Sequence, residues 1–260
     1  MTDDAWYAYA VLPAAAPTPR LPGILPEAGL VSLPAGAVAV LASPVPRAAF
    51  AEEAARDHAR DPAWLAARAA AHHAVIMAAA PCLPFAFGAL FSGTAPLLDW
   101  AAQRSGDLAE ALERLDGRAE WSLLLEAEPE AQDAHLCATE PALAALRQRA
   151  EGAGPGTAFL LRRRLEQLLP GARHAHLAGR LEALAALLEE AGLEQLPEAM
   201  PGRLSFLAED AALAGLRPAL EAFNAGLAGT GLGLRLSGPW PAYGFARALL
   251  AQDAAAEARP

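Results

Sequence analysis

Apolar and polar positions change rhythm several times along the chain, and each change marks an element. Residues Ala5 to Leu12 carry Trp6, Tyr7 and Tyr9 at close intervals before Pro13, which predicts a first strand. Pro13 to Pro34 is punctuated by Pro17, Pro19, Pro22, Gly23 and Pro26 and reads as a loop. The Val-rich run Ala37 to Ser43, closed by Pro44 and Pro46, predicts a central strand buried on both faces. An Arg- and Glu-bearing segment from Arg47 to Arg60 follows. Asp61-Pro62 then has the N-cap and N1 chemistry of a helix start, with Leu65, Ala69, His72, Ile76 and Ala79 along one face.

From Ala69 to Leu98 no residue bears a formal charge. That length exceeds the roughly 20 apolar residues a bilayer span needs. Pro81, Pro84, Gly88, Gly93 and Pro96 would break such a helix, and hydrocarbon leaves the freed backbone groups without partners. The run therefore parses as a helix stopped by Pro81, a buried strand to about Gly88, a turn, and a second helix capped by Thr94. Leu97, Ala101, Leu108, Ala111, Leu112 and Leu115 form its apolar stripe, interrupted near Gly106.

Gly117 marks a boundary, because strict alternation begins after it. Trp121, Leu123 and Leu125 oppose Glu120, Ser122 and Glu126, as in a strand with one wet face. Thr139-Glu140-Pro141 starts a helix to about Ala150; further helices are expected from Thr157 to Leu169 and from Arg173 to Ala191. Arg203 to Glu209 alternates again, with Leu204, Phe206 and Ala208 inward. A helix is placed from about Pro218, and Leu232, Leu234 and Leu236 form a last strand. The order β–α–(β)β–α–β is that of a ferredoxin-like sandwich. The expected fold is α+β in two domains: a mixed α+β domain over 1–117, a ferredoxin-like α/β sandwich over 118–250, and a flexible tail over 251–260.

Composition narrows the chemistry. The chain has 260 residues, 54% hydrophobic and 19% charged, which suits packed domains rather than disorder. A formal net charge of -10 argues against a nucleic-acid-tracking surface. All 20 basic residues are Arg, so chemistries that need a Lys ammonium are excluded: Walker-A phosphate binding, Schiff-base catalysis and pyridoxal-phosphate attachment. Cys82 and Cys137 form neither a disulfide framework nor a CxxC pair. Asp3 and Asp4 are the wrong charge for a signal peptide, and a cytoplasmic setting with reduced thiols is expected.

Candidate sites are sparse. His72 and His73 are adjacent on a helix, so their side chains diverge by about 100° and cannot share one ion. His174 and His176 have no obvious third ligand. The Gly152–Gly156 loop before Arg162-Arg163-Arg164 resembles an anion cradle, yet the arginines lie well inside the helix. No G-x-S-x-G elbow is present, and no catalytic, cofactor-binding or metal-binding residue is assigned. The segment Ser237-Gly238-Pro239-Trp240-Pro241-Ala242-Tyr243-Gly244-Phe245 has two readings. Its rings either plug the base of the C-terminal sheet or form an aromatic contact surface for a protein partner.

Six segments in order resemble the gas vesicle GvpL/GvpF proteins. They are Trp6–Val11, Asp61–Leu65 with His72, Leu83–Phe91, Glu120-Trp121, Ala158–Arg164 and Ser237–Phe245. Ala86 stands where the family usually has Arg, His73 where Glu is common, and Leu124 where a basic residue is frequent. The family-motif positions, and so the possible partner contacts, are Leu83, Pro84, Phe85, Phe87, Gly88, Phe91, Trp121, Arg162, Arg163, Gly238, Pro239, Trp240, Pro241, Tyr243 and Phe245. Phe85, Phe87 and Phe91 are expected to hold the N-terminal domain together. The resemblance implies an accessory or minor structural gas vesicle protein, not an enzyme. Its partners would be the major shell protein and other accessory gas vesicle proteins, with no membrane span and no cofactor. The competing readings are a small-molecule enzyme on a ferredoxin-like scaffold and a generic oligomerising scaffold.

Overall fold

The computed structural model describes residues 4–50, 60–196 and 200–249, so the expected tail at 251–260 and most of the Arg47–Arg60 segment lie outside the described residues. The chain divides into two units. Residues up to Glu120 and those from Pro239 onward form the first, and Trp121–Gly238 form the second. The last segment therefore rejoins the first unit, a correction to the continuous domain expected over 118–250.

In the first unit the sheet is built around β1 (Asp4–Pro13). Strand order is β2-β3-β1-β4, with β5 also pairing β1. β3 (Val38–Pro46) runs antiparallel to β1 and is buried almost throughout; it continues past Pro44 and ends at Pro46. The β1–β3 register shifts between Ala8 and Ala10, a bulge at Tyr9 of the kind that re-aims a side chain. β2 (Val31–Ala35) occupies what the prolines marked as loop. It is an edge strand, where the missing N–H of Pro34 costs no ladder bond.

Helix α1 (Pro62–Ala78) starts as expected: the Asp61 carboxylate accepts from the Ala63 and Trp64 amides at 3.0 and 3.1 Å. Only its second half is buried, through His72, Val75 and Ile76, while Leu65 and Ala69 are exposed. The expected single strand after it is two short ones separated by a turn. β4 (Leu83–Pro84) pairs Ala10 and Val11, and β5 (Leu90–Phe91) pairs Trp6 and Tyr7. Helices α2 (Thr94–Gln103) and α3 (Ser105–Leu115) break at Arg104, not Gly106, and Gly93 rather than the Thr94 side chain is the cap. Among the described residues no helix is long and apolar enough to cross a membrane.

The second unit has the sheet order β7-β8-β6-β9, from β6 (Ala119–Ala127), β7 (Glu194–Leu196), β8 (Arg203–Ala208) and β9 (Leu232–Trp240). In order of appearance that is 2-3-1-4, the split β-α-β-β-α-β arrangement of a ferredoxin-like sandwich. The first crossover contains α4 (Pro129–Thr139), α5 (Pro141–Glu151) and α6 (Pro155–Glu190). The two helices expected on either side of Pro170 are one helix of 36 residues, about 54 Å long at 1.5 Å per residue. The second crossover is α7 (Asp210–Gly226), with Pro218 inside it rather than at its start. Alternation in β6 does not give a wet face near its start. Glu120 and Ser122 are buried, and Ser122 Oγ lies 3.1 Å from Ser205 Oγ. In β8 Leu207 is buried beside Phe206 and Ala208, whereas Leu204 is only half-buried.

Gly231 leads into β9 at φ 77°, and a Cβ there would overlap the Ala131–Gln132 peptide in the first turn of α4. Its carbonyl accepts from the Glu128 amide at 2.8 Å, just before that helix. This contact ties β9 to the start of α4.

Candidate functional site

Within the first unit, motif positions from both ends of the sequence converge on α1. Tyr7 and Tyr9 project from β1 two residues apart, with ring centroids 5.0 Å from each other. His72 packs against them at 5.7 and 5.9 Å, with Phe87 at 5.7 Å and Tyr243 at 6.4 Å on its other sides. Gly88 N–H donates to the Tyr7 oxygen at 3.1 Å, and the Tyr7 hydroxyl lies 3.0 Å from His72 Nδ1. A Tyr7 hydroxyl that donates to Nδ1 goes with the neutral ring protonated on Nε2. Burial holds the His72 pKa down at about 4, partly opposed by the Phe85 backbone, so the ring is neutral near pH 7. Burial likewise raises the Tyr7 and Tyr9 pKa values, and that of Tyr243 to about 12.

Next to this group, Phe85, Phe91 and Trp100 form a second aromatic cluster with centroids 5.1 to 6.4 Å apart. Of the three phenylalanines expected in the core, only Phe85 is buried. Phe91 is half-buried, and Phe87 is exposed while its edge meets His72.

The C-terminal segment is held from below. Glu120 Oε2 accepts from the Gly244 and Phe245 amides at 2.8 and 3.3 Å, and the Arg114 guanidinium lies 4.7 Å from the centre of the Phe245 ring. A Cβ on Gly244 would approach the Glu120 carboxylate to 2.7 Å, so a larger residue there would push the carboxylate off the two amides. Tyr243 and Phe245 thus belong to the core of the first unit and do not plug the C-terminal sheet. β9 continues through Gly238, at φ 133°, and Pro239 to Trp240. Glu120→Ala leaves two amides without their acceptor and is expected to cost about 2 kcal/mol in urea unfolding. Glu120→Gln keeps an acceptor and should cost less. Equal stability of all three proteins would remove the bracket from the account.

Beside the pinned segment lies an apolar groove of about 200 Å³. Ile76, Met77, Pro81, Leu115, Trp240 and Pro241 contribute to its lining, with Arg118 at its margin. Met77 is 44% and Trp240 46% exposed, so two large, soft or aromatic side chains flank the groove. Cys82 also lines it, but burial pushes its thiol up to about 12, far from thiolate chemistry. Among the described residues no cluster of three or more His, Cys, Asp or Glu is placed to hold a metal ion.

Leu83, Pro84, Phe85, Phe87, Gly88, Phe91, Pro239, Trp240, Pro241, Tyr243 and Phe245 all fall in the first unit. Trp121, Arg162, Arg163 and Gly238 fall in the second. There Trp121 is buried, and Arg162 and Arg163 are exposed on α6. Sequence reasoning did not select Met77, Trp100, Arg114 or Arg118. Met77 sits in an apolar helix where nothing distinguishes rim from core, and the arginines resemble ordinary helix-surface charges.

The family model described as gas vesicle synthesis protein GvpL/GvpF matches residues 5–247. Gas vesicle protein L of a Streptomyces species is 31% identical over an alignment of 279 residues, covering 94% of each chain. Gas vesicle protein L2 of Halobacterium salinarum is 28% identical over 180 residues; the aligned part spans 63% of either protein. Crystal structures of gas vesicle protein GvpF share the fold. That from Anabaena superposes with a TM-score of 0.67 at 15% identity, covering 94% of this chain and 98% of its own. That from Microcystis aeruginosa gives 0.62 at 14% identity, covering 93% and 98%.

Proposed function

This chain belongs to the GvpL/GvpF family of gas vesicle proteins, and on that premise we propose that it is a non-enzymatic assembly factor. It binds the major shell protein, or another accessory gas vesicle protein, in the cytoplasm through the groove flanked by Met77 and Trp240. The observation that carries this reading is the pairing of two half-exposed, large side chains with a rigid floor. Glu120, Tyr243 and Phe245 fix the backbone beneath Trp240, so little order has to be gained on binding. Trp is favoured where a few residues supply most of the affinity, and Met adapts to an irregular apolar partner. A shell subunit rich in apolar surface needs such a holding contact before it polymerises.

Trp240→Ala combined with Met77→Ser tests the proposal, with circular dichroism showing that the variant is folded so that lost capture is not lost structure. Capture of the shell protein in a pull-down is expected to weaken about 30-fold, the effect of losing one strong interface residue. Flotation of a vesicle-forming host carrying the variant should fall with it. Undiminished capture together with normal vesicle yield would sink the assignment of this groove.

A further inference from the structure

The second unit has a surface that the groove reading leaves unused. The first turns of α6 bury Ala158 and Leu169, and Leu165 and Leu168 pack on Leu136, Cys137 and Leu143. That inward side alone would satisfy an amphipathic helix. Yet Phe159 and Leu160, on the other side, are 62% and 65% exposed, the most exposed large hydrophobic side chains among the described residues. One turn on stand Arg162, Arg163 and Arg164, all exposed. None of the three pairs with a carboxylate among the described residues. Arg162 and Arg163 follow Phe159 by three and four positions, and Arg163 and Arg164 follow Leu160 likewise, so the apolar pair and the cations are helix-surface neighbours.

We propose that Phe159–Arg164 forms a docking surface for an acidic amphipathic segment of a partner protein. The apolar side chains of that segment would cover Phe159 and Leu160, and its carboxylates would meet the arginines. The assignment is independent of the Met77–Trp240 groove, which lies in the other unit.

Charge selects this occupant. A second copy docking by a two-fold axis would set the same patch against itself and bring two arginine triplets together. Nucleic acid would meet a chain whose formal net charge is -10. A lipid surface needs an apolar stripe continuing along the helix. Here the side that begins with Phe159 and Leu160 passes to Arg163, Gln167 and Gly171. Exposed planar guanidinium groups suit carboxylates, which they can bind through two parallel hydrogen bonds.

The test pans an unbiased phage-displayed peptide library against the full chain. The same panning is done with Phe159→Ser/Leu160→Ser and with Arg162→Glu/Arg163→Glu. Both variants alter only exposed side chains, and circular dichroism establishes that each is folded. The enriched peptides should carry net negative charge with apolar residues three or four apart. Their affinity, read by fluorescence anisotropy, should fall about tenfold or more in either variant, and fall with added salt for the wild type. Enrichment of neutral or basic peptides, or affinity that survives both variants, overturns the proposal. Two further arms decide against the named occupant. One is sedimentation with phosphatidylglycerol vesicles that is lost in the variants. The other is concentration-dependent self-association that is lost in the variants.

Discussion

Gly231→Ala is expected to destabilise the second unit by about 3 kcal/mol or more, the largest effect of any single methyl group considered for this chain. The added Cβ would meet backbone, the Ala131–Gln132 peptide, which cannot swing aside as a side chain can. The positive φ of 77° adds its own cost for an alanine. The two causes can be separated. Asn tolerates this region of backbone space better than Ala, so Gly231→Asn would recover stability if φ alone were limiting. Overlap with α4 predicts that Asn does no better than Ala. Urea unfolding followed by the fluorescence of Trp121, with the other tryptophans replaced by Phe, reads the second unit directly. An alanine variant with wild-type stability would mean that β9 and α4 are not locked at this position.

Acidification is expected to weaken the first unit through His72. Its folded pKa, about 4, lies below the ordinary value of 6.5 because the buried ring is costly to charge. Between these values the unfolded chain binds the proton and the folded chain does not, so stability falls as pH drops from 6.5 to about 4. Above 6.5 both states are neutral and this contribution is fully retained; below 4 both are charged and the loss levels off. A gap of this size corresponds to at most about 3 kcal/mol. Carboxylates titrate in the same range, so the comparison that isolates His72 is with His72→Gln, which cannot charge but can still accept from the Tyr7 hydroxyl. The difference between the two proteins' urea midpoints should change sharply between pH 7 and pH 4. Parallel pH profiles would show that His72 is not buried as described.

The parts of the fold legible in the sequence were those with local causes. Asp61-Pro62 is a cap whose chemistry is complete within four residues, and the aromatic strand at Trp6–Val11 announces itself by composition. The ferredoxin-like order was legible because alternation and helical spacing take turns over long stretches. Prolines misled in several places, three of them on exposed edges or helix sides. Pro34 lies on an edge strand, and Pro170 and Pro218 lie on exposed sides of α6 and α7. The carbonyls those helical prolines release, on Glu166 and Ala214, belong to exposed residues and remain open to water. An exposed freed carbonyl lowers the cost of a helical proline without removing it, and the packing of the rest of each helix outweighs what remains.

The candidate groove was half legible. Trp240 stood out among prolines and glycines, but its neighbour Met77 is distant in sequence and carries no local mark. Glu120 was read as the wet face of a strand because alternation sees only the residue's own strand. Its partners are the amides of Gly244 and Phe245, more than a hundred positions away. One of the two readings of Tyr243 and Phe245, rings plugging the C-terminal sheet, fails for the same reason: their rings follow a strand of the second unit in sequence and pack in the first.

That return of the chain fixes an order of events at the ribosome. The second unit is continuous in sequence, whereas the first is complete only when the segment after Pro239 has been made. At bacterial synthesis rates of about 5–20 residues per second, the residues between the two halves of the first unit take on the order of ten seconds to emerge. During that interval Tyr7, Tyr9 and His72 wait without Tyr243, and Phe245 has not yet reached Glu120. The groove beside Trp240 therefore comes into being only after the whole second unit has been made, and it is absent from any nascent chain that has not yet passed Pro241.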